Sequence, residues 1–96
     1  MKRSDAFDVE WDDGKNRLNQ RKHAVSFEEA ATIFLDPLEI AIEDPAHTMS
    51  EYRLISIGQS FGGRLLVVSY SERNNRIRII TARKPTRNER RAYEET

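Results

Sequence analysis

The chain has 96 residues, 38% of them apolar and none of them cysteine; that supports one small core over residues 1–96 and excludes disulfides, thiolate nucleophiles and Cys-based metal sites. No apolar run approaches the roughly 18–20 residues needed to span a bilayer, and no apolar stretch follows Lys2 and Arg3, so a soluble cytoplasmic protein without membrane span or secretory signal is expected. Sixteen bases balance 16 acids, which argues against strong bulk attraction to nucleic acid.

Taken in chain order, Phe7-Asp8-Val9-Glu10-Trp11 alternates apolar and acidic residues, the period of a half-buried strand. Asp12 is placed to cap a helix from Asp13 to about His23, with Asp13 in the first turn where the helix dipole favours an acid. Leu18 is its only large aliphatic, so packing alone does not hold this helix. Lys15, Leu18, Asn19 and Lys22 share a stripe, which is either solvated or turned toward a ligand or partner. Ser26-Phe27-Glu28-Glu29 reads as a capping box. It opens a second helix whose Phe27, Ala30, Ala31 and Phe34 fall at core spacing, with Ile33 beside them, and Asp36-Pro37 stops it.

Beyond Pro37 the period becomes that of strands. Leu38–Ile42, Tyr52–Ile57, Arg64–Tyr70 and Arg76–Arg83 are predicted strands. A loop runs from Glu43 to Glu51, Phe61-Gly62-Gly63 supplies a hairpin turn and Asn74-Asn75 a tight turn. Thr86-Arg87-Asn88-Glu89 is a second capping box, opening a terminal helix to about Glu95 with only Ala92 and Tyr93 to bury. The order β-α-α-β-β-β-β-α predicts an α+β fold: an antiparallel sheet packed against two N-terminal helices, with a short C-terminal helix.

The zero net charge hides a segregated distribution. Residues 26–52 hold seven acids and no Lys or Arg; residues 73–91 hold eight bases and the single acid Glu89. A face of net +7 suits a phosphate backbone or an acidic partner, unless the acidic half folds against the basic half and neutralises it.

No phosphate-loop, dinucleotide-binding or nucleophile-elbow motif is present. Two histidines some two dozen residues apart, without cysteine, make a poor zinc site, so neither metal nor cofactor is expected. The remaining chemistry is arginine beside groups that move protons. RNA is cleaved without metal when its 2′-hydroxyl attacks the adjacent phosphate, which requires a base, cations around the transition state and an acid for the leaving oxygen. Arginine's planar fork matches two phosphate oxygens. His23, Glu89, Tyr93 and Tyr70 are the proton-transfer candidates. Plainer readings stand beside these: His23 caps a helix, Glu89 closes its capping box and Arg64 is a solvated edge residue, while His47, in an acidic loop, is structural or incidental.

Three stretches together resemble the BrnT toxins. The first is Glu10-Trp11-Asp12 with Lys15, Asn19, Lys22-His23 and Val25–Ala30. The second is Arg53, Ile57-Gly58 and Gly63–Val68. The third is Arg76–Arg83 with Thr86, Glu89-Arg90 and Tyr93-Glu94. The resemblance spans about residues 7–95 and implies a RelE-like fold and a ribonuclease toxin of a type II toxin–antitoxin pair that halts translation. It further implies neutralisation by a BrnA-like ribbon-helix-helix antitoxin, in a heterotetramer that binds operator DNA through the antitoxin. By position it implies phosphate and transition-state contacts at Arg64, Arg78 and Arg83. Lys22 and His23 would hold substrate or move a proton, and Glu89 and Tyr93 would order the arginines or join acid–base exchange. Lys15, Arg53, Arg76 and Lys84 complete the expected RNA contacts. Two departures stand out: Asp13 replaces a common proline, and Ala24 replaces the usual glycine, at a cost of about 1 kcal/mol if that position needs positive φ. The rival readings are a non-catalytic basic-faced nucleic-acid-binding module and a purely complex-forming subunit.

Overall fold

The computed structural model describes residues 2–4, 8–45 and 52–95. Phe7 and His47 lie outside them. Strands β1 (Lys2–Ser4) and β2 (Val9–Trp11) precede helices α1 (Asp13–His23) and α2 (Phe27–Ala31). A single 3₁₀ turn, Thr32–Leu35, extends α2. Strands β3 (Ile40–Glu43), β4 (Arg53–Gln59), β5 (Leu65–Arg73) and β6 (Arg76–Arg83) follow, and α3 (Arg87–Glu94) ends the described chain. They form a sheet in the order β1-β2-β6-β5-β4-β3. The α+β fold is as expected, with two differences: β1 was not anticipated, and the sheet is mixed, because β2 runs parallel to β6. The antiparallel pairs β3–β4, β4–β5 and β5–β6 join neighbours along the chain. β2 and β6 lie at opposite ends of it, and no hairpin fixes their relative direction.

Helices α1 and α2 cover one face of the sheet. There Val9 and Trp11 from β2, Phe27, Ala30 and Ile33 from the second helical segment, and Leu66, Val68 and Ile79 from the central strands are all buried. Trp11 meets Phe27 edge to face at 6.4 Å, and Phe34 meets Tyr70 at 5.0 Å. Each such large side chain contributes about 1.5–3 kcal/mol by leaving water. Gly58 of β4 lies under the 3₁₀ turn, where an added Cβ would sit 3.1 Å from Ile33 Cβ.

Helix α1 is held by hydrogen bonds where it lacks aliphatics. It buries only Asn16 and Asn19. Asn19 Nδ2 donates to the Val25 carbonyl at 2.9 Å and the Ala82 carbonyl at 2.7 Å, while its Oδ1 accepts from Ala82 N–H at 3.1 Å. One side chain thus replaces a strand neighbour for β6 just beyond the point where β2 stops pairing, at Arg78. Asn16 accepts from Phe27 N–H at 2.8 Å and donates to Glu28 at 2.8 Å, fixing the start of α2.

Only half of the expected capping box at α2 forms. Ser26 Oγ accepts from Glu29 N–H at 3.0 Å, but the Glu29 carboxylate binds Arg64 Nη2 at 2.6 Å and Ser60 Oγ at 2.6 Å. A guanidinium is a stronger partner for a carboxylate than a backbone amide. The box at α3 is complete: Thr86 Oγ1 accepts from Glu89 N–H, and Glu89 accepts from Thr86 N–H at 2.8 Å.

Candidate functional site

Among the described residues, the sheet face turned away from α1 and α2 is covered only at one end. There Tyr93 of α3 packs against the small cluster of Ile57, Leu65 and Val67. Residues opposite one another on neighbouring strands point to the same side, so register decides which arginines share this face. Strict alternation would put Arg78 and Arg83, five residues apart, on opposite faces. A β-bulge prevents that. Ser69 pairs with Thr81 but Tyr70 pairs with Ile79, which leaves Ile80 as the extra residue. Arg78 then lies opposite Ser71, Arg83 opposite Val67 and Arg76 opposite Arg73, all on the open face, and Arg53 joins them through its pairing with Ser71.

Two depressions divide these cations. The larger, about 280 Å³, is lined by Arg53, Arg83, Asp44, Ser69 and Thr81 over a floor of Ile55, Val67 and Ile80. Ser69 Oγ donates to Asp44 Oδ2 at 3.1 Å. The smaller, about 180 Å³, holds Arg73, Arg76 and Arg78 with Glu10, Ser71 and Asn74. Arg76 is tied there to Asp8 and Glu10, each at 3.4 Å.

Arg83 is oriented from behind. Its two terminal nitrogens donate to the two oxygens of Glu89 at 2.8 and 2.9 Å, and Nη1 also donates to the Lys84 carbonyl at 3.2 Å. The Arg83 guanidinium in turn holds the Glu89 carboxyl down at about 2, against partial burial that opposes it, with the Thr86 amide adding to the effect. Glu89 is therefore an anion at neutral pH and serves as an orienting counter-charge.

The remaining expected residues lie elsewhere. Arg64 donates from Nε and Nη2 to Glu29 at 3.0 and 2.6 Å and from Nη2 to the Ala24 carbonyl at 3.0 Å, at the junction of α1 and α2. Lys15, Lys22 and His23 line a groove of about 190 Å³ between α1 and β6, with Leu18, Asn19, Ile80 and Thr81. Lys84 is exposed just past β6. Tyr93 donates to Asp36 Oδ2 at 2.6 Å, and that carboxylate pushes the phenol up to about 12. Tyr70 is buried in the core with its hydroxyl 2.8 Å from Ser56 Oγ, and burial raises it. Asp44, Ser69 and Thr81 were not singled out from the sequence. Their signal was present as polar interruptions: a serine and a threonine in apolar strands, and an aspartate directly after one.

The open sheet face of this small α+β protein carries guanidinium groups with a carboxylate and two hydroxyls beside them, the kind of groups that can bind phosphate esters. The family model for the ribonuclease toxin BrnT of type II toxin–antitoxin systems matches residues 11–89, and the chain belongs to that family. It is similar in fold to the ribonuclease toxin BrnT of Brucella abortus, whose crystal structure superposes with a TM-score of 0.61 at 23% identity over 82% of this chain and 96% of that one. No curated protein matches the chain. No described helix is long and apolar enough to cross a membrane.

Proposed function

We propose that the chain cleaves RNA internally, without a metal ion, in the depression between Arg53 and Arg83. One observation carries this reading: two guanidinium groups, a carboxylate and two hydroxyls line the same open cavity on the sheet face. The scissile phosphate lies between the arginines, whose charge stabilises the extra negative charge of the five-coordinate transition state. Asp44 takes the proton from the 2′-hydroxyl as O2′ attacks phosphorus. The P–O5′ bond breaks, and the departing O5′ takes a proton from water, to which the depression is open; Asp44 then returns its proton to solvent. The products are a 2′,3′-cyclic phosphate and a 5′-hydroxyl. Of the side chains lining the depression, Asp44 is the only carboxylate, while Glu89 stays ionised behind Arg83. The positive charge at the site comes from arginine.

Purified protein is expected to cut RNA in the presence of EDTA and to leave intact an RNA with 2′-deoxy sugars throughout. Arg83→Ala and Arg53→Ala are each expected to lower kcat/KM by about 10²–10³, and Arg83→Lys, which keeps the charge, by less. Normal cleavage by both alanine variants, with circular dichroism unchanged, overturns the site. Salt-sensitive RNA binding without product would favour the non-catalytic module.

For the antitoxin that membership of a type II family supplies, we propose a BrnA-like ribbon-helix-helix protein. It would form a heterotetramer that binds operator DNA through the antitoxin. Support comes from the β3 edge of the sheet, where Leu38 and Ile42 are 64% and 57% exposed and, among the described residues, no strand pairs with the outer side of β3.

A further inference from the structure

We infer that the groove between α1 and the bulged edge of β6 is a second RNA site, which takes the nucleotides flanking the scissile bond. This inference rests on the reading of the open face as the cleavage site and extends it around the sheet. Ile80 and Thr81 line both the Arg53–Arg83 depression and the Lys15–Lys22 groove. Only the thickness of one strand separates the two, so a single strand leaving the depression passes over the bulge and enters the groove. Among the described residues no strand blocks that route. β2 stops pairing with β6 at Arg78, and the next neighbour on that side is the Asn19 side chain at Ala82.

The groove has the chemistry of a strand of nucleotides. Lys15 and Lys22 are seven residues apart, two helical turns, and so stand about 10 Å apart on one face. Leu18 lies between them and is 51% exposed. Cation, apolar surface and cation along α1 match phosphate, base and phosphate along RNA, and the Ile80 side chain adds apolar surface across from Leu18. Among the described residues neither lysine forms an ion pair, whereas Arg64, Arg76 and Arg83 all do. The one large aliphatic of α1 takes no part in the core and faces the groove. An acidic protein segment would use the lysines but would not need the continuity with the cleavage depression.

The test measures anisotropy of labelled single-stranded RNA, made uncleavable by 2′-O-methylation, with the full chain across a salt series. A three-nucleotide RNA fills the depression alone, and a ten-nucleotide RNA reaches the groove. The double variant Lys15→Ala, Lys22→Ala is expected to bind the ten-mer at least tenfold more weakly. Its slope of log affinity against log salt should fall by about 1.4, at about 0.7 per phosphate contact on single strands, with the three-mer unaffected. Leu18→Ser should weaken ten-mer binding severalfold and leave the slope unchanged, because it removes apolar contact and no charge. All three side chains are exposed, and matching thermal melts confirm an intact fold. Unchanged ten-mer affinity in the double variant overturns the inference. So does equal loss for both RNAs, which would place the lysines in the cleavage depression, and so does lost antitoxin binding with RNA binding intact. A wild-type chain that cuts no RNA but shows the expected length dependence would overturn the cleavage reading and leave the groove standing.

Discussion

Ala24 closes α1 in the left-handed conformation, with φ 57° and ψ 33°, and its N–H bonds to the Gln20 carbonyl. The Cβ of alanine crowds the following carbonyl there, at about 1–2 kcal/mol, and glycine does not. Glycine also loses more backbone entropy on folding, by about 0.5–1 kcal/mol. Ala24→Gly is therefore expected to stabilise the protein by about 0.5–1 kcal/mol, read as a higher urea midpoint at unchanged m-value. The Arg64 bond to the Ala24 carbonyl is made to backbone and survives the change. A lower midpoint would show that the junction is strained for another reason. This position was legible in the sequence, because Ala24 stands between Lys22-His23 and Val25 where the BrnT pattern that the stretch resembles implies glycine. Asn16 and Asn19 were not, since pattern reading counts apolar residues and α1 is fastened by amides. The half-formed box at Ser26 shows the same limit: Glu29 was read against a residue three positions away, and its partner Arg64 is 35 positions away.

At the scale of elements, α3 buries no residue. It is fixed at its start by Glu89 on Arg83 and near its end by Tyr93 on Asp36. Burial alone would raise the Asp36 carboxyl, but bonds from Tyr93, Gln59 and Leu38 bring it below its ordinary value. Both anchors therefore depend on ionised carboxylates. Glu89 has a folded value of about 2 against an ordinary 4.5. A depressed carboxyl contributes stability that is complete above about 4.5 and fades as pH falls toward about 2. Glu89→Gln keeps a residue suited to the capping box and removes only the charge. Wild type is expected to exceed it by about 1 kcal/mol at pH 7, the modest value of a partly solvated pair. In urea unfolding across a pH series, the two curves should converge between about 4.5 and 2. A difference that persists to pH 2 would mean that the pair contributes through shape and not charge. The limits of β6 were legible to the residue. Its bulge was not, since an extra residue is defined by the partner strand's register, and the bulge is what brings Arg83 to the face of Arg78.

At the scale of the whole molecule, the acidic and basic stretches meet at the depression that Asp44 shares with Arg83. Among the described residues no ion pair joins the acidic stretch 26–52 to the basic stretch 73–91. Glu29 pairs with Arg64, outside the basic stretch, and Arg83 and Arg90 pair with Glu89 and Glu94. The fold presents arginines on the open face, while Glu43 sits at the β3 edge with exposed Leu38 and Ile42. Strand order decides this arrangement, and no single segment of sequence encodes strand order; the segregation was legible, its placement was not. Among the described residues β3 is the last strand of the sheet, and an edge strand with apolar side chains and an acid suits a partner that adds a strand carrying cations. Ile42→Lys opposes that docking with a charge on the edge and leaves the core untouched, because Ile42 is 57% exposed. The variant is expected to melt as wild type does, to cut RNA at the wild-type rate and to bind the antitoxin at least tenfold more weakly by calorimetry, a loss of about 1.4 kcal/mol or more. In a bacterial host it should then arrest growth even when the antitoxin is co-expressed. Full neutralisation of the variant, with wild-type affinity, would move the antitoxin off β3.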